Sequence, residues 1–293
     1  MIRKEVLVRT LPTGIVEFLD PLLQVKYVLT KAHSEEYNTG KWSEELQEQL
    51  SAFSLLEDIG ATVLREHFWS AKDLIRLSPL KTDFMDCNWE IAQRLPQGIQ
   101  SEWREPERWR RLAEHFYAGN AIAILHDLIV PELLEADLSG VHWSPYQTNI
   151  LTGSRSKLET GFVVTLMKDP VFQQLVSAIL RVPITSNVLV HAWCLQVGDY
   201  ISAHADGPKY VGTLSVGCNR NWKATNGGAI SFGRPTQQGW DDYCKWLPHI
   251  GDAVLFRPRA NLWHLVEDVV DGQRQTITGW WLEEGTQVHN HSH

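Results

Sequence analysis

The sequence is short of the features that mark several large protein classes. Its 293 residues include only four cysteines, Cys87, Cys194, Cys218 and Cys244. They show no CxxC spacing, which argues against a zinc ribbon or a disulfide-dense scaffold and predicts reduced thiols. No apolar run approaches the ~20 residues of a membrane-spanning helix, and the most apolar stretch, 119–130, is broken by His126 and Asp127. The first twenty residues meet a charge every few positions and lack the apolar core of a secretory signal, so a cytoplasmic address is expected. An excess of basic residues is also missing: Lys+Arg number 27 against Asp+Glu 35, a formal charge of −8. That balance excludes a global field for nucleic acid or an anionic membrane. There is no internal repeat and no low-complexity linker.

What the chain has in quantity is core-forming material. Hydrophobic residues make up 43% and thirteen are Trp, which favours a sizeable core or a ligand pocket. Two halves read differently. From about 40 to 181 the pattern is mostly helical. Leu46, Leu50, Phe53 and Leu56 recur at helical spacing behind Ser43, with Glu44 and Glu45 in the first turn. A second helix starts near Glu105, with Trp109, Leu112 and Phe116 on one face. A third has Asp169 as N-cap and Pro170 at its first position, then Phe172, Leu175, Val176, Ile179 and Leu180 on its apolar face.

Beyond Pro183 the rhythm changes to short strand-like runs at 187–197, 210–216, 229–232, 252–257, 262–269 and 273–282, separated by Gly, Asn and Asp turns. Strands at this spacing predict a sandwich or barrel. The expected fold is α+β, a barrel with helices packed outside it. The chain then forms one domain over 1–293, with a helix-rich part at 1–182, a β-barrel core at 183–284 and a mobile tail at 285–293.

The chemistry gathers in the second half. In His204-Ala205-Asp206 the imidazole and carboxylate are two residues apart, so on a strand they point to the same side. His264, in a later strand, supplies a third ligand type. Two His and one carboxylate leave coordination positions open, the arrangement of non-haem Fe(II) oxygenases, whereas zinc more often takes a closed His/Cys shell. A three-residue loop at Val270-Asp271-Gly272 would set Val269 opposite Gln273 and His264 opposite Thr278. In that register His264, Arg274, Thr276, Thr278 and Trp280 share one face, and Leu265, Val269, Ile277 and Trp281 the other. An interior Arg needs an anion. Arg274 predicts either a protein carboxylate or a dicarboxylate held by the guanidinium fork, with the Thr276 hydroxyl as second donor.

His204-x-Asp206, His264, and Arg274 ten residues later resemble the iron and cosubstrate motif of the Fe(II)/2-oxoglutarate-dependent oxygenases. The segments 213–219, Trp222, 227–232, 251–256 and 274–278 resemble strands of the prolyl-hydroxylase-like branch, so the likeness covers roughly 187–282. It implies a double-stranded β-helix, a jelly-roll or cupin-like barrel, with Fe(II) on His204, Asp206 and His264. It also implies 2-oxoglutarate on Arg274 and Thr276, and molecular oxygen as co-reactant. The implied reaction hydroxylates an unactivated C–H bond while 2-oxoglutarate becomes succinate and carbon dioxide.

Two positions bear on the pattern. Leu195 stands where many relatives carry Tyr, which leaves Tyr200 or Thr213 as candidates for the missing cosubstrate hydroxyl. Asp206 is present where related halogenases have a small residue, which argues against halogenation. Trp280 is a candidate substrate contact, and His191 reads as a core or supporting His. With no long basic or Pro-binding groove evident, a free amino acid or another small metabolite is the expected substrate. The same chemistry on a protein side chain and a non-catalytic binding barrel are the alternatives. The helical half could supply a lid or a homodimer surface.

Overall fold

The structure, a computed structural model, describes residues 2, 6–10, 14–20, 25–52, 87–117, 122–148, 151–207, 209–236, 239–258, 262–283 and 286. Three short strands, β1 (Leu7–Thr10), β2 (Val16–Asp20) and β3 (Val25–Val28), form an antiparallel meander. Helices α1 (Lys31–Thr39) and α2 (Glu44–Ala52) follow it. Val6, Val16, Phe18, Leu29, Leu46 and Leu50 make a core of their own for this N-terminal layer. Of the helical stripe expected there, Leu46 and Leu50 are buried, while Phe53 and Leu56 lie outside the described residues. So does the expected tail, apart from Thr286.

The middle of the chain supplies α3 (Pro106–Tyr117), β4 (Ile122–Leu125), α4 (Pro131–Leu138), β5 (Ser144–Gln147), β6 (Leu151–Lys157), α5 (Phe162–Lys168) and α6 (Pro170–Leu180). Asp169 caps α6 as its sequence predicts, accepting the backbone N–H of Phe172 at 2.9 Å, with Pro170 in the first turn. The expectation of a helical segment from 40 to 181 is corrected in one respect: β4, β5 and β6 interrupt it and join the main sheet.

The last third forms β7 (Val188–Leu195), β8 (Tyr200–His204), β9 (Tyr210–Gly217), β10 (Ile230–Thr236), β11 (Gly239–Trp246), β12 (Ala253–Phe256), β13 (His264–Val266) and β14 (Arg274–Leu282). Together they give a curled antiparallel sheet in the order β11-β10-β13-β8-β6-β7-β14-β9-β12-β4, with β5 on the edge of β6. This nearly closed barrel is that of a double-stranded β-helix, with helices packed outside.

Strand alternation sorts the barrel residues. Val190 and Ala192 of β7, Leu214 and Val216 of β9, Ala253 and Leu255 of β12, and Ile277 and Trp281 of β14 face the helices. They join Trp109, Phe116, Phe172, Leu175 and Ile179 in one core. Their neighbours Trp193, Leu195, Val254 and Phe256 point inward with Phe232 and Val266. Burial on both faces explains the unbroken apolar run of β12. The four cysteines are free thiols. Among the described residues no single helix is long and apolar enough to cross a membrane.

One register differs from expectation. β13 and β14 do not pair: His264 faces His204 on β8 and Phe232 on β10, while Thr278 faces His191 on β7 and Ser215 on β9. Val269 bridges to Gly227 rather than opposing Gln273. The physical reason is the topology. Between β13 and β14 the chain crosses from one wall to the other, with β8, β6 and β7 lying between them in the sheet, whereas β5–β6 and β10–β11 do fold back as hairpins. His264, Arg274, Thr276, Thr278 and Trp280 still line one cavity, because both walls face the same interior. On the other side Ile277 and Trp281 meet the helices, whereas Val269 turns into the inner core.

A close approach next to β9 gives a stability test. A Cβ on Gly217 would lie 2.2 Å from the carbonyl oxygen of His249, backbone that can yield only by shifting the 248–252 turn. Gly217→Ala is expected to cost about 1–3 kcal/mol, as overpacking does. Chemical denaturation reads that loss, and an unchanged midpoint would show that the turn adapts freely.

Candidate metal and cosubstrate site

The cavity inside the barrel has a volume of about 310 Å³ and opens at one end. His204 ends β8, Asp206 follows just beyond it, and His264 opens β13 opposite His204. A bulge places them. Ile201 pairs with Val266 and His204 with His264, so Ser202 and Ala203 of β8 stand against Leu265 alone of β13. The extra residue reverses the alternation, so Ile201 and His204 both face the cavity. Tyr200 is thereby turned outward. It is 2% exposed and its hydroxyl donates to Glu17 Oε1 on β2 at 2.7 Å, outside the cavity lining. The structure does not bring Tyr200 to the site.

One ligand atom from each of His204, Asp206 and His264 lies within 4.8 Å of the others. The two imidazole centroids are 4.3 Å apart, and His204 Nε2 is 3.8 Å from Asp206 Oδ1. Backbone carbonyls fix the rings: His204 Nδ1–H donates to Ser202 O at 2.8 Å, and His264 Nδ1–H points at Leu262 O at 3.4 Å. That tautomer leaves each Nε2 lone pair free for an ion. Burial first, and then the neighbouring His204, lower the His264 pKa to about 4, so its ring is neutral near pH 7. Phe232 and Phe256 wall it in, with centroids 5.5 and 5.2 Å away. Asp206 is held from behind: the Thr213 hydroxyl donates to its Oδ2 at 3.0 Å and Trp280 Nε1–H at 3.3 Å. Thr213 and Trp280 thus both line the cavity and both touch the carboxylate.

Arg274, 1% exposed, lies on the same inner wall. Its Nε–H donates to Gly228 O at 2.6 Å and its Nη1–H to Thr276 Oγ1 at 3.1 Å, whereas Nη2 is buried with no partner. Burial lowers its pKa to about 10, which still leaves it a cation at neutral pH. No carboxylate neutralises it among the described residues. Asp206, the one carboxylate lining the cavity, is engaged beside the two imidazoles. Gly228 makes this approach feasible, because its φ is +66° and a Cβ would lie 2.8 Å from Arg274 Cδ.

Sequence reasoning missed Tyr146 and Arg155, which β5 and β6 bring to the cavity rim. His191, read as a core or supporting residue, also lines it, 5.8 and 6.0 Å from the rings of Trp193 and Trp280. Burial and the charges of Arg155 and Lys157 push its pKa down to about 4.

The donor set therefore fits a divalent metal with open positions, and the orphaned guanidinium fits an added carboxylate. Comparison with known proteins gives the same frame. Residues 190–282 match the 2OG-Fe(II) oxygenase superfamily. No curated protein matches the chain in sequence. Among solved structures, a prolyl-4-hydroxylase from Pseudomonas putida is 14% identical, with a TM-score of 0.50 over 60% of this chain and 100% of that one. A 2OG-Fe(II) oxygenase-family oxidoreductase from Burkholderia pseudomallei is 12% identical, with a TM-score of 0.46 over 59% and 90%. Residues 190–282 thus carry the match to the 2OG-Fe(II) oxygenase superfamily, and the barrel they build has the fold of the solved prolyl-4-hydroxylase.

Proposed function

We propose that the protein is an Fe(II)- and 2-oxoglutarate-dependent oxygenase that hydroxylates an unactivated C–H bond of a free amino acid or another small metabolite. In this reading His204, Asp206 and His264 hold Fe(II), and Arg274 with Thr276 holds the far carboxylate of 2-oxoglutarate. The observation that carries it is the Arg274 guanidinium, buried in the same cavity as the three ligands with Nη2 unpartnered. An interior cation without a counter-charge is costly, and a planar carboxylate is its natural partner. The cavity, about 310 Å³, stands at the low end of the ~300–1,000 Å³ typical of ligand pockets, which favours a small substrate.

Bound Fe(II) with 2-oxoglutarate supplies the oxidising power, drawn from oxygen and the decarboxylation of the cosubstrate. The chain's own contribution is placement. Thr213 and Trp280 keep the Asp206 carboxylate aimed at the two imidazoles, a support of the kind that tunes and orients metal ligands. Phe232 and Phe256 pack against the buried His264 ring and shield it from water. Arg274 and Thr276 fix the cosubstrate at its distal end, and the open rim admits the C–H to be attacked.

The test is an anaerobic optical titration of the apoprotein, first with Fe(II) and then with 2-oxoglutarate. The expected result is a broad visible charge-transfer band that requires both, with succinate released once oxygen is admitted. A folded, iron-loaded protein that shows no band would overturn the assignment. Stimulation of succinate release by peptides, with none by small molecules, would move the substrate to a protein side chain.

A further inference from the structure

We infer that Arg155 is a second anion-binding position in the cavity and receives a carboxylate of the primary substrate. This deepens the reading above and rests on it. Arg155 lies on β6 in register with Trp193 on β7, which in turn faces Thr276 on β14. Neighbouring strands are ~4.8 Å apart, so Arg155 stands two strands, roughly 10 Å, from Thr276 along one cavity wall. It is half-buried, and its Cζ sits 3.3 Å over the Tyr146 ring and 5.9 Å from the Trp193 ring. Stacking grips the guanidinium by its face and leaves the in-plane N–H donors at the edge available. The orientation that a bidentate partner would need is thus set before anything binds.

The charges around it leave that position open. Among the described residues, none forms a salt bridge or hydrogen bond with the Arg155 guanidinium. Lys157, two residues further along β6, has its ammonium on Glu159 at 2.6 Å. Asp206 is tied to the imidazole cluster, Thr213 and Trp280. His191 beside it stays neutral, its pKa pushed down to about 4 by burial and then by Arg155 and Lys157. One lone cation with a planar fork matches a single carboxylate better than a phosphate dianion. Arg274 is the deep receptor and Arg155 the one at the rim. A substrate anchored on Arg155 would present its C–H toward the ligand cluster, which lines the same cavity. A free acid meets this requirement, whereas a residue in mid-chain lacks the α-carboxylate.

The test uses the full chain with Fe(II) and 2-oxoglutarate. The probes are the common L-amino acids and their N-acetyl derivatives, each paired with its own carboxamide. Two readouts apply: succinate release above the substrate-free rate, and anaerobic perturbation of the visible band or of tryptophan fluorescence, since Trp193 and Trp280 line the cavity. At least one acid is expected to bind and stimulate, with its amide weaker by about tenfold or more. Arg155→Leu should raise KM for that acid by about 10–100-fold, and Arg155→Lys should recover part of the loss. The Kd for 2-oxoglutarate should stay within about twofold, because the variant removes a substrate contact only. Acid and amide acting alike, or no acid surpassing its amide, overturns the inference. So does a Leu variant that leaves the acid untouched or weakens 2-oxoglutarate instead. A wild-type protein without the Fe(II)–2-oxoglutarate band fails earlier, and removes the oxygenase reading together with this one.

Discussion

Asp206→Asn is expected to abolish Fe(II) binding at ordinary concentrations and, with it, the visible band and succinate release. The change is nearly isosteric. The amide oxygen can take the place of Oδ2 and still accept from Thr213 and Trp280, now at 3.0 and 3.3 Å. The amide nitrogen then occupies the Oδ1 position, 3.8 Å from His204 Nε2, and turns N–H donors toward the ion. The site loses its one negative charge and one ligand together. Removing a group that merely orients a ligand costs about 10–100-fold in affinity or activity, so loss of the ligand itself is expected to exceed about 100-fold. Stability of the apoprotein should hold, because the two donors keep their acceptor. Anaerobic Fe(II) titration checks the first statement and thermal unfolding without metal the second. Wild-type iron affinity in a well-folded Asn variant would remove Asp206 from the ligand set.

Much of this site was legible in the sequence because its chemistry sits on short local patterns. His204 and Asp206 are two residues apart, and Arg274 and Thr276 share a face by strand alternation alone. The cap at Asp169 and the apolar stripe of α6 were equally local. What was lost depends on pairing between distant segments. The bulge in β8 sends Tyr200 to Glu17, 183 residues away in sequence, and alternation carries no sign of it. The crossing of β13 and β14 between walls was hidden because a Gly turn signals a bend and not the strand that follows it. Gly272 does take the left-handed conformation, with φ +79°, yet no hairpin forms there. β6 was missed for a different reason. Its inward face looks into a polar cavity, so Leu-Thr-Gly-Ser-Arg-Ser-Lys lacks the apolar alternation that marks a strand. The residues that make the pocket chemically distinctive, Arg155 among them, are those that erase the pattern by which the strand would be recognised.

Arg274→Leu should move two observables in opposite directions. The wild-type guanidinium is fully enclosed, with Nε and Nη1 satisfied by Gly228 O and Thr276 Oγ1 and Nη2 by nothing. In the apoprotein it is a buried charge without a carboxylate counter-ion among the described residues; the shorter, apolar Leu removes that charge, and this gain is expected to outweigh the space left and to raise thermal stability. Once the cosubstrate binds, the same charge is the partner of a carboxylate. Truncating one member of a buried, hydrogen-bonded charge pair costs about 2–5 kcal/mol, so the Kd for 2-oxoglutarate should rise by roughly 30-fold to several thousand-fold. Fe(II) binding should be unaffected, because Arg274 is not among the three clustered metal-ligating side chains. Arg274→Lys keeps the charge but loses the fork, and should fall between the two. A structural role for Arg274 predicts the reverse pattern, a destabilised apoprotein and unchanged 2-oxoglutarate affinity. Since a protein counter-ion would make Leu destabilising and a cosubstrate counter-ion makes it stabilising until 2-oxoglutarate is added, the sign of the apoprotein shift alone separates the two.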